Sequence, residues 1–320
     1  MLAMRIQNTR VRFTVTCLLI VVSLSDKLHA EDNNGASDFG VDYAFLFLMT
    51  LSPDFAAANY TFKNPDSTEV DTNIYRLPYH FDLFKKPDSR LQLELAVAYQ
   101  HTTEVVTEDI LAGNRVDSQW NTYGIGTGLL YEYQLSESLR FTPSLRIGLA
   151  KMNNDATYSG PLADMIRDTY DGILFNWQTN AAILNLGLGL SYNWKLLDRQ
   201  SSITANVYHV IVNSFNESNA AVSFSESANM LSVQADMIFP TELALSEERL
   251  DFVLLLGGNC FFGENKRTLG YTTSYQAGMG MEIPLRWDKK EQGYLRVSGQ
   301  VLWAENMDGW LLTIGYNPDK

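Results

Sequence analysis

Three histidines lie beyond the first thirty residues, at His80, His101 and His209. An imidazole is the side chain best suited to moving a proton near neutral pH. His80 stands two residues before Asp82, and a histidine–carboxylate pair can orient a general base. Residues i and i+2 are also ordinary same-face neighbours on an extended strand, so the pair is read as structural. His101 precedes Thr102, Thr103 and Glu104. Ester hydrolysis there would need a serine, a histidine and an orienting polar group together. No serine stands two residues beyond any of the three histidines, so no catalytic residue is assigned. No glycine-rich phosphate loop and no cluster with metal-ligand spacing is present, so no cofactor or metal residue is assigned either. The glycines of Gly124-Ile125-Gly126 and Gly278-Met279-Gly280 alternate along extended chain and read as space-makers. Cys17 and Cys260 are the only cysteines, too few for a disulfide framework.

The elements that would carry these residues have a period of two. In 182–196, Ala182, Leu184, Leu186, Leu188, Leu190, Tyr192, Trp194 and Leu196 share one parity, opposite Asn185, Gly187, Gly189, Ser191 and Lys195. Residues 271–287 and 91–100 repeat the pattern. Twelve such segments are expected, roughly 39–51, 74–84, 90–101, 119–134, 139–151, 179–196, 201–214, 222–239, 250–262, 271–287, 293–304 and 309–317. Strand 9 is apolar on both faces through Val253 and Leu255. In strand 7, His209 shares the parity of Ile203, Ala205 and Val207. The opposite assignment, with Tyr208, Val210 and Val212 outward, stays open. Links after even strands are short, apart from a ten-residue link near 240–249. Three links after odd strands are long, at 52–73, 102–118 and 152–178.

The chain of 320 residues has 46% apolar and 19% charged residues, which excludes disorder as its main state. Residues 1–30 read as a cleaved secretory signal: Arg5, Arg10 and Arg12, then the uncharged run Phe13–Ser25, then Leu28-His29-Ala30. Thirteen apolar residues are too few for a membrane-crossing helix, which needs about 20. Beyond that segment twenty basic residues face thirty-six acidic ones, a net charge of −16. That balance argues against nucleic acid as a partner.

An even number of antiparallel strands, short turns at one end and long loops at the other predict an all-β fold, a transmembrane antiparallel β-barrel of about 12 strands. A soluble sandwich is the rival. It would bury the apolar parity in a core. Closure removes sheet edges that lipid cannot satisfy. The domain reading is a signal over 1–30, a short periplasmic segment over 31–38, the barrel over 39–317 and a tail over 318–320. Tyr131, Tyr133, Tyr192, Trp194 and Trp287 sit on the apolar parity at the short-turn ends and read as an interfacial girdle. The polar parity would face the lumen with seven cations, Arg76, Arg90, Arg140, Arg146, Lys195, Arg286 and Arg296. Seven anions, Asp42, Asp82, Glu94, Glu132, Asp236, Asp251 and Glu282, balance them, so cross-lumen pairing is expected. The three long loops each carry −3 and read as a solvated face, with a divalent-cation or basic-partner site as the alternative. Within 152–177, Leu162, Met165, Ile166 and Tyr170 have helical spacing after Pro161, which predicts a short helix at the outer mouth.

The ending Met307-Asp308-Gly309-Trp310-Leu311-Leu312-Thr313-Ile314-Gly315-Tyr316 resembles the C-terminal signal read by barrel-assembly machinery, with Gly309, Leu312, Ile314 and Tyr316 as its marks. With the twelve strands and the signal segment, the mature chain resembles the solitary outer-membrane autotransporter-type barrels of Gram-negative bacteria. Two departures are an extension through Asn317-Pro318-Asp319-Lys320 and only eight residues, Glu31 to Asp38, ahead of the expected first strand. The resemblance implies a barrel without a passenger, structural or surface-exposed in role. Its implied partners are outer-membrane lipid and the assembly machinery, with the surface partner open. A narrow solute channel and an outer-membrane hydrolase are the alternatives.

Overall fold

The computed structural model describes residues 54–63, 69–106, 113–245, 248–262, 272–287 and 290–317. Twelve strands follow one another: β1 (Phe55–Lys63), β2 (Glu69–Lys85), β3 (Ser89–Val106), β4 (Arg115–Gln134), β5 (Leu139–Ser159), β6 (Gln178–Leu196), β7 (Arg199–Phe215), β8 (Ser225–Leu245), β9 (Glu248–Phe262), β10 (Thr273–Trp287), β11 (Lys290–Ala304) and β12 (Met307–Asn317). Each pairs antiparallel with its sequence neighbours, and β1 closes on β12, so the sheet is a barrel without an edge. The closing register runs from Phe55↔Ile314 to Phe62↔Met307. One helix, α1 (Ala163–Tyr170), interrupts the β5–β6 connection.

Side-chain alternation sorts the residues between two environments. Leu77, Tyr79, Phe81, Leu95, Val97, Ile125, Leu145, Ile147, Leu149, Met279, Val297, Val301 and Leu312 are exposed on the outer surface. Water would not tolerate so continuous an apolar belt, whereas hydrocarbon favours it. The sandwich rival fails here, because the apolar parity is outside and the sheet closes on itself. Crossing takes about 9 to 11 tilted residues. β4 has 20 residues and β5 has 21, so their outer ends stand well beyond the hydrocarbon.

The first strand differs from the expectation. The segment 39–51 lies outside the described residues, as does Asp42. The strand that pairs with both β12 and β2 is Phe55–Lys63, inside the segment read as the first long loop. Its alternation is inverted: Ala56, Ala58 and Tyr60 are buried inward, while Asn59 and Thr61 share the other face and bond to Asn73 and Asp71. The other long loops shrink likewise, because β3 runs to Val106, β4 begins at Arg115 and β5 runs to Ser159. In the ten-residue link expected near 240–249, residues 240–245 and 248–249 are instead strand, with a register shift between Pro240 and Ala244. The helix expected in 152–177 is present. Of its apolar stripe Ile166 is buried, while Leu162, Met165 and Tyr170 remain exposed.

Candidate functional site: the lumen and its two rims

The lumen divides into a wet half and a dry half. Towards the short turns it holds two connected cavities of about 690 and 370 Å³ that share Asp54, Glu132, Ser191, Thr204, Asp236 and Arg296 in their walls. Lys85, Lys86, Arg90, Arg140 and Arg199 line the wider one, so it opens at the short-turn end as a polar vestibule.

Ion pairs line this half. Arg76 Nη2 donates to Glu94 Oε1 at 2.6 Å, and Arg146 Nε reaches both Glu94 oxygens at 3.2 Å. His80 Nε2 lies 3.1 Å from Glu94 Oε2, so His80 partners Glu94 and not Asp82. Asp82 instead accepts from Arg90 at 2.6 Å and from Gln92 at 3.3 Å. Arg296 holds Glu282 through Nε at 3.0 Å and Nη2 at 2.6 Å, and it donates Nη1 to Asp236. Arg199 donates to Asp251 at 2.7 Å, and Arg140 lies 3.5 Å from Glu132. Arg76, Asp82, Glu94, Glu132, Arg140, Arg146, Asp236, Asp251, Glu282 and Arg296 are thus paired, but mostly along the wall: Arg76–Glu94, Arg90–Asp82, Arg140–Glu132 and Arg296–Glu282 join adjacent strands, and only Arg146–Glu94, Arg199–Asp251 and Arg296–Asp236 reach past a neighbouring strand. Lys195 is the exception: it is exposed at the short-turn end of β6, outside the cavity walls. Arg286 and Trp287 end β10, where only their backbone is described.

Towards the long loops the inward side chains are buried, apolar and polar ones together. In this half every strand contributes a buried inward residue: Tyr60, Ile74, Gln100, Ser118, Met152, Ala181, Val212, Ala228, Phe261, Ser274, Leu302 and Met307, all less than a tenth exposed. Trp177, Val222 and Phe224 from the outer connections join the same apolar cluster. The expectation of a polar lumen meets a mixed lining here: Thr72, Gln100, Thr102, Ser118, Asn154, Thr179 and Ser274 are buried beside the apolar residues. On β9, Val253 and Leu255 face inward and pack on Ile238. That accounts for a strand apolar on both faces. Glycines make room elsewhere in the lumen wall: a Cβ on Gly280 would lie 2.6 Å from the Val297 carbonyl oxygen, and one on Gly128 2.6 Å from Arg146 Cγ.

Both rims carry outward aromatics. Tyr131 with Tyr133 and Tyr192 with Trp194 stack at centroid distances of 6.4 and 6.3 Å near the short turns. A second row, missed from the sequence, stands at the opposite rim: Tyr75, Tyr99 and Tyr123 face one another in register, and Tyr275 faces Trp303. The signal for this row was in the alternation, since these aromatics occupy the apolar parity near the outer ends of their strands. In β12, Leu312, Ile314 and Tyr316 face outward, and Gly309 lies under the Tyr60 ring at the seam. A Cβ there would sit 2.8 Å from Tyr60 Cδ1 and 2.6 Å from the Asn59 carbonyl oxygen.

The remaining histidines also bond to amides. His209 faces outward on β7 and bonds Asn229 Oδ1 through Nδ1 at 2.8 Å, and Val210 and Val212 face in, which resolves the strand-7 parity. His101 Nδ1 donates to Asn121 Oδ1 at 3.0 Å, and the Tyr99 hydroxyl donates to the same oxygen at 2.8 Å. At the outer end of β5, Tyr158 donates to Asp171 Oδ1 at 3.0 Å, and Arg167 lies over its ring at 5.5 Å. Partial burial, then the Asp171 carboxylate, push the Tyr158 phenol up to about 12. Asp117 and Asp164 are paired with Arg115 and Arg167, and no metal-holding group of three acidic, histidine or cysteine residues occurs among the described residues.

A closed twelve-stranded sheet with an apolar exterior, two aromatic rims and charges paired in its interior defines an outer-membrane β-barrel. Solved structures share this architecture. The translocator domain of autotransporter NalP from Neisseria meningitidis superposes with a TM-score of 0.55 at 10% identity, covering 87% of this chain and 93% of that one. The transport unit of autotransporter AIDA-I from Escherichia coli gives 0.54 at 10% identity, covering 92% and 95%. At such identities the likeness concerns the fold alone. No curated protein sequence matches. A family profile does, over residues 55–286: the chain belongs to the solitary outer membrane autotransporter β-barrel domain family. It is a protein of the outer membrane.

Proposed function

We propose that the protein acts as a sealed, non-catalytic surface barrel: open to the periplasm through its vestibule, closed towards the outside, and delivered by a cleaved signal segment and the barrel-assembly machinery. One observation supports this reading: in the outer half of the lumen every strand has a buried inward residue, twelve from Tyr60 to Met307. A continuous water column would leave part of such a ring wet, and a solute channel needs that column. Catalysis finds no support in the histidines, whose ring nitrogens bond to Glu94, Asn121 and Asn229 without a serine partner. The membrane lipid is then a permanent partner of the belt, and the outer connections are what the cell surface presents. Liposome swelling tests the reading: vesicles holding the full-length protein should swell in a small sugar no faster than empty vesicles. Swelling at the rate of a general porin would favour the channel.

A further inference from the structure

On the lipid face of β3 to β6 the outer end of the belt changes character abruptly. The exposed ladder Leu145, Ile147, Leu149 on β5 is followed two residues later by exposed Lys151. Lys151 stands in register with Tyr123 on one side and Asn180 on the other. The tyrosines of this rim are close, with Tyr75–Tyr99 and Tyr99–Tyr123 centroids 6.3 and 5.1 Å apart. Immediately above them His101 and Asn121 share their hydrogen bonds with Tyr99. Stacked tyrosines mark the interface; Lys151 and Asn180 continue the tyrosine row, and His101 and Asn121 stand one outward-facing position beyond it, so the group lies at the depth of the lipid headgroups.

Lys151 makes no ion pair with another described residue. Lys63, the cation at the outer end of β1, is neutralised by Asp308 at 2.8 Å. The nearest acid on the Lys151 face of β5 is Asp155, four residues further out, about 13 Å along the strand. An exposed lysine in register with Tyr123 and Asn180, with an apolar ladder beneath it, matches a ligand with a phosphate, sugar hydroxyls and acyl chains. Once Nδ1–H of His101 is donated to Asn121, Nε2 is left as the ring nitrogen that can turn to that ligand. Lys151 and His101 stand two strand spacings across and two residues along, about 12 Å apart, which a headgroup larger than one sugar spans.

We propose that this face binds a phosphorylated glycolipid of the outer leaflet, with Lys151 on the phosphate and the Tyr99–Asn121–His101 group on the sugar. The assignment rests on the outer-membrane placement. Full-length protein refolded in zwitterionic detergent would be mixed with three probes, a diphosphorylated diglucosamine lipid, its dephosphorylated form and phosphatidylglycerol. Bound lipid would be counted by native mass spectrometry. The diphosphorylated probe should be retained, its affinity should fall about tenfold in Lys151→Gln, and it should hold in Lys63→Gln. Equal losses in the two variants, or equal retention of the dephosphorylated probe, would overturn the site. Equal, Lys151-dependent retention of phosphatidylglycerol would overturn the glycolipid assignment. Gel migration of unheated and boiled samples reports separately whether each variant is a closed barrel, so a failure of lipid binding is distinguishable from a failure of membrane placement.

Discussion

Replacing Arg296 with methionine removes the cation that holds two lumen carboxylates. Glu282 is fully buried, its Oε1 takes both arginine bonds, and its Oε2 has no hydrogen-bond partner. After Arg296→Met the Glu282 carboxylate keeps neither bond. Asp236 loses the Nη1 donation but keeps Gln234 at 2.8 Å and borders the two polar cavities. Removing one partner of a buried pair costs about 3 to 5 kcal/mol, because the remaining charge is left uncompensated. Partial access to water puts the expectation at the lower end, about 3 kcal/mol. The Arg296→Met/Glu282→Met double variant removes the stranded charge together with the cation and should recover more than half of that. Arg140→Met is the contrast: it lies 3.5 Å from Glu132, both partners are partly exposed, and the pair is worth less than about 1 kcal/mol. Urea unfolding in lipid vesicles, followed by band shift on unheated gels, reads all three. Equal costs for Arg296→Met and Arg140→Met would refute the buried-network reasoning, as would a double variant no better than the single one.

Two further outcomes follow from the membrane and from the outer loop. Ile147→Arg, in the middle of the lipid-facing ladder, should cost about 2 to 4 kcal/mol, whereas Ser191→Arg, in the polar vestibule, should cost less than about 1 kcal/mol, both measured by the same unfolding assay. Tyr158 favours its protonated form in the folded loop, so its contribution is complete below about 10, the ordinary phenol value, and is lost as pH rises through about 12. The difference in phenolate absorbance between wild type and Tyr158→Phe should therefore titrate near 12, and a midpoint near 10 would show that neither burial nor the Asp171 contact acts on the phenol.

The alternation in β2 to β12 was legible because lipid demands an apolar residue at every second position, and that demand acts on single residues. The helix at Ala163–Tyr170 was legible for a similar reason, since four apolar residues kept a helical spacing. β1 was not, because its inward face belongs to the dry half of the lumen. Ala56, Ala58 and Tyr60 pack inside while Asn59 and Thr61 sit on the outer face, so the pattern reads as a polar loop. The balance of lumen charges was visible in composition. The partners were not, because strand register decides that Arg146 meets Glu94 and Arg296 meets Asp236. Likewise the dry ring draws Gln100, Ser118 and Ser274 together with Tyr60 and Phe261. No local pattern joins residues so different.

The measurement that bears most directly on the sealed barrel is conductance of the full-length protein in planar lipid bilayers, recorded beside a variant in which Met152, Phe261 and Met307 are all changed to serine. The wild type should show no steady open level, because its outer half holds no continuous water column. The triple variant should show discrete openings while still migrating as a closed barrel on unheated gels. Stable ohmic openings of the wild-type protein would contradict the account.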